Sequence, residues 1–243
     1  MTLTIVGHRG VAGQYPENTL ASIQAAIDMG LEWIEVDIQP TQDHQLVVCH
    51  DHTIDRCSNG YGRVDSYTLE QLQQFDFGAW FSPQFNSQPI LTLEQLLRLI
   101  QPLKIGLNIE IKIDTQNFEP VIKELKRQLE LVALPAERIL ISSFDHQTLR
   151  EVHQAHLGYP IAVLSEKLSK QDWLLLAEID AVACNLNART TNKKQIAALQ
   201  QAGYQVWCFT VNNPHQLTHL QSVDAIFSDF PQRFLTSHSS LLA

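Results

Sequence analysis

Apolar residues along this chain follow two rhythms that take turns. Thr4–Gly7 is a short apolar run that reads as a strand and ends in His8-Arg9-Gly10. Leu20, Ile23, Ala26 and Ile27 then recur at helical spacing, and Gly30 closes that helix. In Trp33–Ile38, alternate side chains point to opposite faces, so Ile34, Val36 and Ile38 share one face and Glu35 and Asp37 the other. Only residues 40–45 separate this strand from Leu46–His50, too few for a crossover helix. Regular alternation resumes at Thr92, which caps a helix carrying Leu93, Leu96, Leu97 and Ile100. The strands that follow are Ile105–Lys112, Ile139–Ser143, Ile161–Leu164, Ala181–Asn185, Gln205–Val211 and Ala225–Ser228. Between them lie a helix marked by Phe118, Val121, Ile122, Leu125 and Leu129, and one from Asp145 to about His156. Two more fall near 169–178 and 192–202, with Gly203 ending the last. The tail after Thr236 shows no packing pattern.

Strands alternating with helices predict an α/β fold with a parallel sheet. Two architectures compete, an open doubly wound sheet and a closed TIM (β/α)8 barrel. No G-x-G-x-x-G follows the first strand, which weakens a nucleotide-binding open sheet. Polar residues recur at the C-terminal ends of the strands: His8, Asp37, His50, Lys112, Ser143, Asn185, Asn212 and Asp229. A barrel gathers those ends at one mouth, whereas an open sheet spreads them along a line. The barrel is therefore expected, with one of nine candidate strands outside it.

Residues 51–91 break the pattern. They hold Asn59-Gly60, Gly62, Gly78, Pro83 and Pro89 together with Phe75, Phe77, Trp80, Phe81 and Phe85. Thr68 and Gln71 form a capping box for one short helix. The stretch is too small for much of a core of its own, so we expect an insertion after the third strand within a single domain spanning 1–243.

Composition narrows the function. At 243 residues and 44% hydrophobic content the chain suits one barrel. Its 26 acids against 17 bases, a net charge of -9, argue against a nucleic-acid partner. Cys49, Cys57, Cys184 and Cys208 show no close pairing, and three lie in apolar strand-like runs, which points to a reducing, cytoplasmic setting. The start carries no charged segment followed by a long apolar one, so no signal peptide is expected, and no window reaches the length of a membrane span.

Glu35 and Asp37 on one strand, and Glu110 on another with Asn108 and Lys112 on its face, bring three carboxylates to the mouth of a barrel. An oxygen-only set suits Mg2+ or Ca2+ better than zinc. A plain Glu110–Lys112 ion pair accounts equally well for that strand alone. Of the ten histidines, His8 and His50 end strands and suit proton transfer. His146, His153, His156, His215, His219 and His238 fall in helical or tail segments and read as solvated. Arg9 and Lys112 add positive charge for a phosphate, although Glu17 is an equally natural partner for Arg9. Phe144, Trp207 and Phe209 read as core or wall residues. A cation site, two imidazoles and two basic side chains together suit a phosphoester.

From His8 to about Pro231 the chain resembles the glycerophosphodiester phosphodiesterases. The marks are His8-Arg9-Gly10, Pro16-Glu17-Asn18-Thr19, Glu35-Val36-Asp37, His50-Asp51, Glu110-Ile111-Lys112, Ser143-Phe144, Trp207 with Thr210-Val211-Asn212, and Ser228-Asp229-Phe230-Pro231. Many relatives have Trp-Thr-Val-Asn, whereas Trp207 stands two residues farther ahead of Thr210, so Trp207 and Phe209 both remain candidates for the aromatic wall. The resemblance implies a TIM barrel and one divalent metal, Mg2+ or Ca2+, held by Glu35, Asp37 and Glu110. It implies His8 and His50 as the acid–base pair, and Arg9 and Lys112 on the phosphate. Phe144 and the aromatic wall would line the substrate. It further implies hydrolysis of a glycerophosphodiester, such as glycerophosphocholine or glycerophosphoethanolamine, to sn-glycerol 3-phosphate and an alcohol. A glycerol hydroxyl would attack first and water would open the cyclic phosphate. The rivals are a lysophospholipase D-type activity on acylated substrates, for which the aromatics of 51–91 would supply a groove, and a barrel that binds the diester without turning it over. Head group, metal, the division of labour between the histidines and the oligomeric state stay open.

Overall fold

The computed structural model describes residues 3–115, 117–220 and 222–235. The start at Met1-Thr2, the tail after Thr236 and His238 lie outside them. Nine strands form one sheet: β1 (Thr4–His8), β2 (Trp33–Pro40), β3 (Leu46–Val48), β4 (Gly106–Ile111), β5 (Ile139–Ser143), β6 (Ile161–Ser165), β7 (Ala183–Asn187), β8 (Gln205–Phe209) and β9 (Ala225–Ser228). Their order is β1-β9-β8-β7-β6-β5-β4-β2-β3, and β1 also pairs with β2. That last pairing closes eight parallel strands into a ring, the TIM (β/α)8 architecture. The strand outside the ring is β3, antiparallel to β2.

Helices α1 (Leu20–Asp28), α3 (Leu93–Ile100), α4 (Phe118–Val132), α5 (His146–Gln154), α6 (Lys170–Glu178) and α7 (Lys193–Gln201) alternate with the barrel strands, while α2 (Leu69–Leu72) lies between β3 and α3 and α8 (Gln232–Leu235) follows β9. The expected caps are present. Thr68 and Thr92 each close a capping box, with Gln71 and Gln95, and Asp145 accepts from the Thr148 N–H. No helix among the described residues is long and apolar enough to cross a membrane.

Two apolar cores follow from strand alternation. Outward side chains such as Ile34, Val36, Leu107, Ile109 and Ile141 pack with the helices. Inward ones, Val6, Leu140, Ala162, Ala183, Trp207, Ala225 and Phe227, fill the barrel, with Trp33 against them. Above this plug lies a polar layer: Asn108 donates to Ser142 Oγ (2.8 Å) and Asn185 donates to Asn108 Oδ1 (3.3 Å). Residues 51–91 contribute Ile54, Val64, Leu72, Phe77 and Ile90 to a third cluster with Val47 and Cys49.

Several strand limits differ from those expected, by one residue at the end of β6 and by two at the ends of β3, β7 and β8. The run at Ala181–Asn185 becomes Ala183–Asn187, because the Ala181 N–H donates back to Leu176 O and completes the end of α6. Val182, just before the strand, already bonds to both neighbours: its N–H donates to Ile161 O and its carbonyl accepts from the Gln205 N–H. The strand from Gln205 ends at Phe209 rather than Val211, and β3 ends at Val48 rather than His50.

Candidate active site

The β1–α1 turn sets the first group of side chains. Arg9 (φ 52°) and Gly10 (φ 84°) both adopt left-handed backbone. A Cβ on Gly10 would stand 2.4 Å from Ser22 Oγ, so the turn requires glycine there. The turn is tied to its surroundings through Arg9: its N–H donates to Glu35 Oε2 (3.0 Å), and its carbonyl accepts from Ser22 Oγ (2.8 Å) and the Asn18 N–H (3.1 Å). His8 pairs through Nδ1 with Asp229 Oδ1 at 2.6 Å, which leaves Nε2 facing the mouth, 3.8 Å from Glu35 Oε2. Asp229 is held in turn by Asn212, whose Nδ2 donates to Oδ2 (2.6 Å).

Glu35, Asp37 and Glu110 converge as their strand periods predict. Parallel register sets Asp37 beside Glu110 and His8 beside Glu35. The three carboxylates are 3%, 1% and 7% exposed, and an oxygen from each lies within 4.8 Å of the others. Burial pushes Glu35 well above the usual carboxylate range, and the Asp37 and Glu110 charges push it further. Glu110 is pushed up to about 7 by burial and by the Asp37 charge, against the pull of Lys112. Asp37 goes the other way: burial would raise it, but Arg9, Lys112 and His50 together hold it below the usual range. The same burial would lower Lys112, whose ammonium is instead held above its ordinary value by Asp37 and Glu110. Lys112 stands against Glu110 Oε1 and 3.4 Å from Asp37 Oδ1, so the simple ion pair also exists. Glu35 Oε1 is buried without a hydrogen-bond partner, and Asp37 Oδ1 and Glu110 Oε1 face only that ammonium. A nest of buried, under-satisfied oxygens with no sulfur or nitrogen donor fits a hard divalent cation.

His50 arrives by another route than expected. It does not end a barrel strand. The hairpin from β2 into β3 turns the chain back antiparallel, Cys49 N–H donates to Asp37 O (2.9 Å), and His50 returns alongside the acids. Its Nδ1 pairs with Asp51 Oδ1 (2.7 Å). Arg56 clamps Asp51 and Glu17 together, and Glu17 accepts from Arg9 Nη1 (2.7 Å). The Arg56 hydrogen bonds, with that of His50, hold Asp51 below the usual carboxylate range despite some burial. Burial holds His50 itself below the usual imidazole range; the Arg9 and Lys112 charges add to that, against the pull of Asp37. Arg9 Nε makes no hydrogen bond, though Asp37 Oδ2 stands 3.3 Å away.

These groups open onto a cavity of about 280 Å³. His8, Arg9, Glu35, His50, Glu110 and Lys112 line it on one side, with Phe144 and Phe209, edge to face at 5.6 Å, as an apolar wall. Trp207 is not in the wall. It is 5% exposed, one inward position below Phe209 on β8, edge to face with Trp33 at 5.1 Å inside the barrel plug. Two residues along a strand are about 7 Å, so Phe209 reaches the mouth and Trp207 does not. Pattern reading missed Glu166, Asn187 and Arg189, which also line the cavity. They follow or end β6 and β7, and the misplaced limits of those strands concealed them. It also left Asp51 and Asp229 without roles, although both stood in the motifs.

The glycerophosphoryl diester phosphodiesterase family model matches residues 8–233. A Bacillus altitudinis glycerophosphodiester phosphodiesterase is 33% identical over 94% of this chain and 95% of its own. One from Caldanaerobacter subterraneus subsp. tengcongensis is 29% identical over 97% of each. Among solved structures, an Oleispira antarctica phosphodiesterase in complex with the product sn-glycerol-3-phosphate superposes with a TM-score of 0.91 at 28% identity, covering 96% of this chain and 95% of its own.

Proposed function

We propose that this chain, which belongs to the glycerophosphoryl diester phosphodiesterase family, hydrolyses glycerophosphodiesters to sn-glycerol 3-phosphate and an alcohol. The observation that carries this reading is the pair of imidazoles, each braced at Nδ1 by a carboxylate, beside the nest of Glu35, Asp37 and Glu110. Such bracing fixes the ring and presents Nε2 to the reacting atoms.

Arg9 and Lys112 bind the phosphate oxygens. Glu35, Asp37 and Glu110 would hold one divalent metal, Mg2+ or Ca2+, which would supply positive charge against the negative charge that builds up on the phosphate. One histidine takes the proton of the glycerol hydroxyl as its oxygen bonds to phosphorus. The other gives a proton to the alcohol oxygen as its bond to phosphorus breaks. The two histidines then exchange roles: one takes a proton from water as its oxygen bonds to phosphorus, and the other returns a proton to the glycerol oxygen as the ring P–O bond breaks. Phe144 and Phe209 exclude water from one side of the substrate. The partner is a small-molecule diester, and the four free, buried cysteines suit a cytoplasmic location.

The test is turnover of a glycerophosphodiester panel with Mg2+, with Ca2+ and with EDTA. Metal-dependent release of sn-glycerol 3-phosphate is the expected result. Binding without release under every metal would leave a diester-binding barrel, and a rate that needs an acyl chain would mark a lysophospholipase D.

A further inference from the structure

The cavity has a second charged arc. In ring order, β6 and β7 stand across the barrel from β1 and β2, which carry His8, Glu35 and Asp37. Glu166 directly follows β6, Asn187 ends β7, and Arg189 lies two residues on; all three line the cavity. One amide braces them. Asn187 Nδ2 donates to a Glu166 carboxylate oxygen at 2.6 Å, and Asn187 Oδ1 accepts from the Arg189 N–H at 2.9 Å. The Thr190 hydroxyl donates to the Glu166 carbonyl and closes the same link. Among the described residues no ion pair joins Glu166 to Arg189, nor Arg189 to any other acid. An opposite-charge pair therefore faces the cavity without neutralising itself.

The site chemistry proposed above uses neither charge. Resting on the diesterase reading, we infer that this arc is the head-group subsite, and that it takes an alcohol carrying both an ammonium and a carboxylate, as serine does. With the phosphorus at the histidine side, one substituent of the diester extends across the cavity. A glycerol unit carries no charge and would leave both side chains uncompensated. A quaternary or primary amine alone would meet Glu166 but also the like charge of Arg189. A zwitterionic head group pairs its ammonium with Glu166 and its carboxylate with the fork of Arg189. Phe144 and Phe209 line the same cavity as its apolar wall.

The experiment compares kcat/KM of the metal-loaded full chain for the serine, ethanolamine, choline and glycerol diesters of glycerol phosphate. A charge-assisted contact on one head group gives a ratio change of about tenfold or more. Arg189→Gln should lower the serine-to-ethanolamine ratio by about that factor, and Glu166→Gln the ethanolamine-to-glycerol ratio. Both side chains are exposed, so neither change touches a core. Ratios that stay within about twofold of the unaltered protein, or a fall shared equally by all four substrates, would overturn the subsite. Calorimetric binding in EDTA separates this inference from the activity itself. If no diester is turned over, Arg189-dependent binding of the serine diester still supports the subsite, and its absence rejects it.

Discussion

Replacing Glu110 by Gln should make the metal-free protein more stable and the enzyme inactive at once. The carboxyl is pushed from 4.5 to about 7 in the folded chain, by burial first and then by Asp37. A raised carboxylate binds its proton more tightly when folded than unfolded, so its penalty is absent below pH 4.5, grows between pH 4.5 and about 7, and is complete above that. At 1.36 kcal/mol per unit the penalty is about 3 kcal/mol. Glu110→Gln removes it while keeping size and shape. Urea unfolding in EDTA should show the variant equal to the parent near pH 4.5 and about 3 kcal/mol more stable at pH 8. Divalent metal reverses the order. At a thousandfold excess over Kd it stabilises the parent by about 4.1 kcal/mol, and the variant, short of one ligand, by much less. A stability difference that does not change with pH, or a variant that gains as much from metal as the parent, would refute the account of the acidic nest.

Other outcomes follow from the same geometry. His8→Ala and His50→Ala should each lower kcat by about 10²–10⁴-fold while metal still raises the melting temperature; near-normal rates would reject the pairing. Asp229→Asn and Asp51→Asn remove the charge that orients each ring and turn one accepting oxygen into a donor, at the expense of the bond from Asn212 or Arg56 or of the bond to the ring, so kcat should fall by about tenfold or more with a shifted pH–rate profile, and an unchanged profile would count against positioning. Phe209→Ala should raise KM by about tenfold through loss of a wall ring. Trp207→Phe should cost about 1–3 kcal/mol of stability with KM unmoved, and the reverse pattern would return Trp207 to the mouth.

The alternation of apolar runs made the barrel legible, because a period of two and a period near 3.6 are local properties of the chain. It also placed Glu35, Asp37 and Glu110 correctly, since side chains two apart on a strand share a face and parallel neighbours stay in register. His50 was found for an incomplete reason. The chain supplies a histidine after an apolar run, but only the antiparallel pairing of β3 on β2 returns it to the acids. The choice between Trp207 and Phe209 could not be made from spacing, because both point inward and only their depth along the barrel axis separates plug from mouth.

What the sequence by itself determined is the set of elements and the faces their side chains share, because those depend on backbone geometry between near neighbours. The tertiary structure alone decided which strand stays outside the ring, which aromatic reaches the cavity, and which carboxylate holds each imidazole. Asp229 meets His8 across 221 residues of chain. Glu166 and Arg189 share one cavity only because β6 and β7 stand side by side. Closing a ring brings together groups whose separation along the chain carries no record of their separation in space.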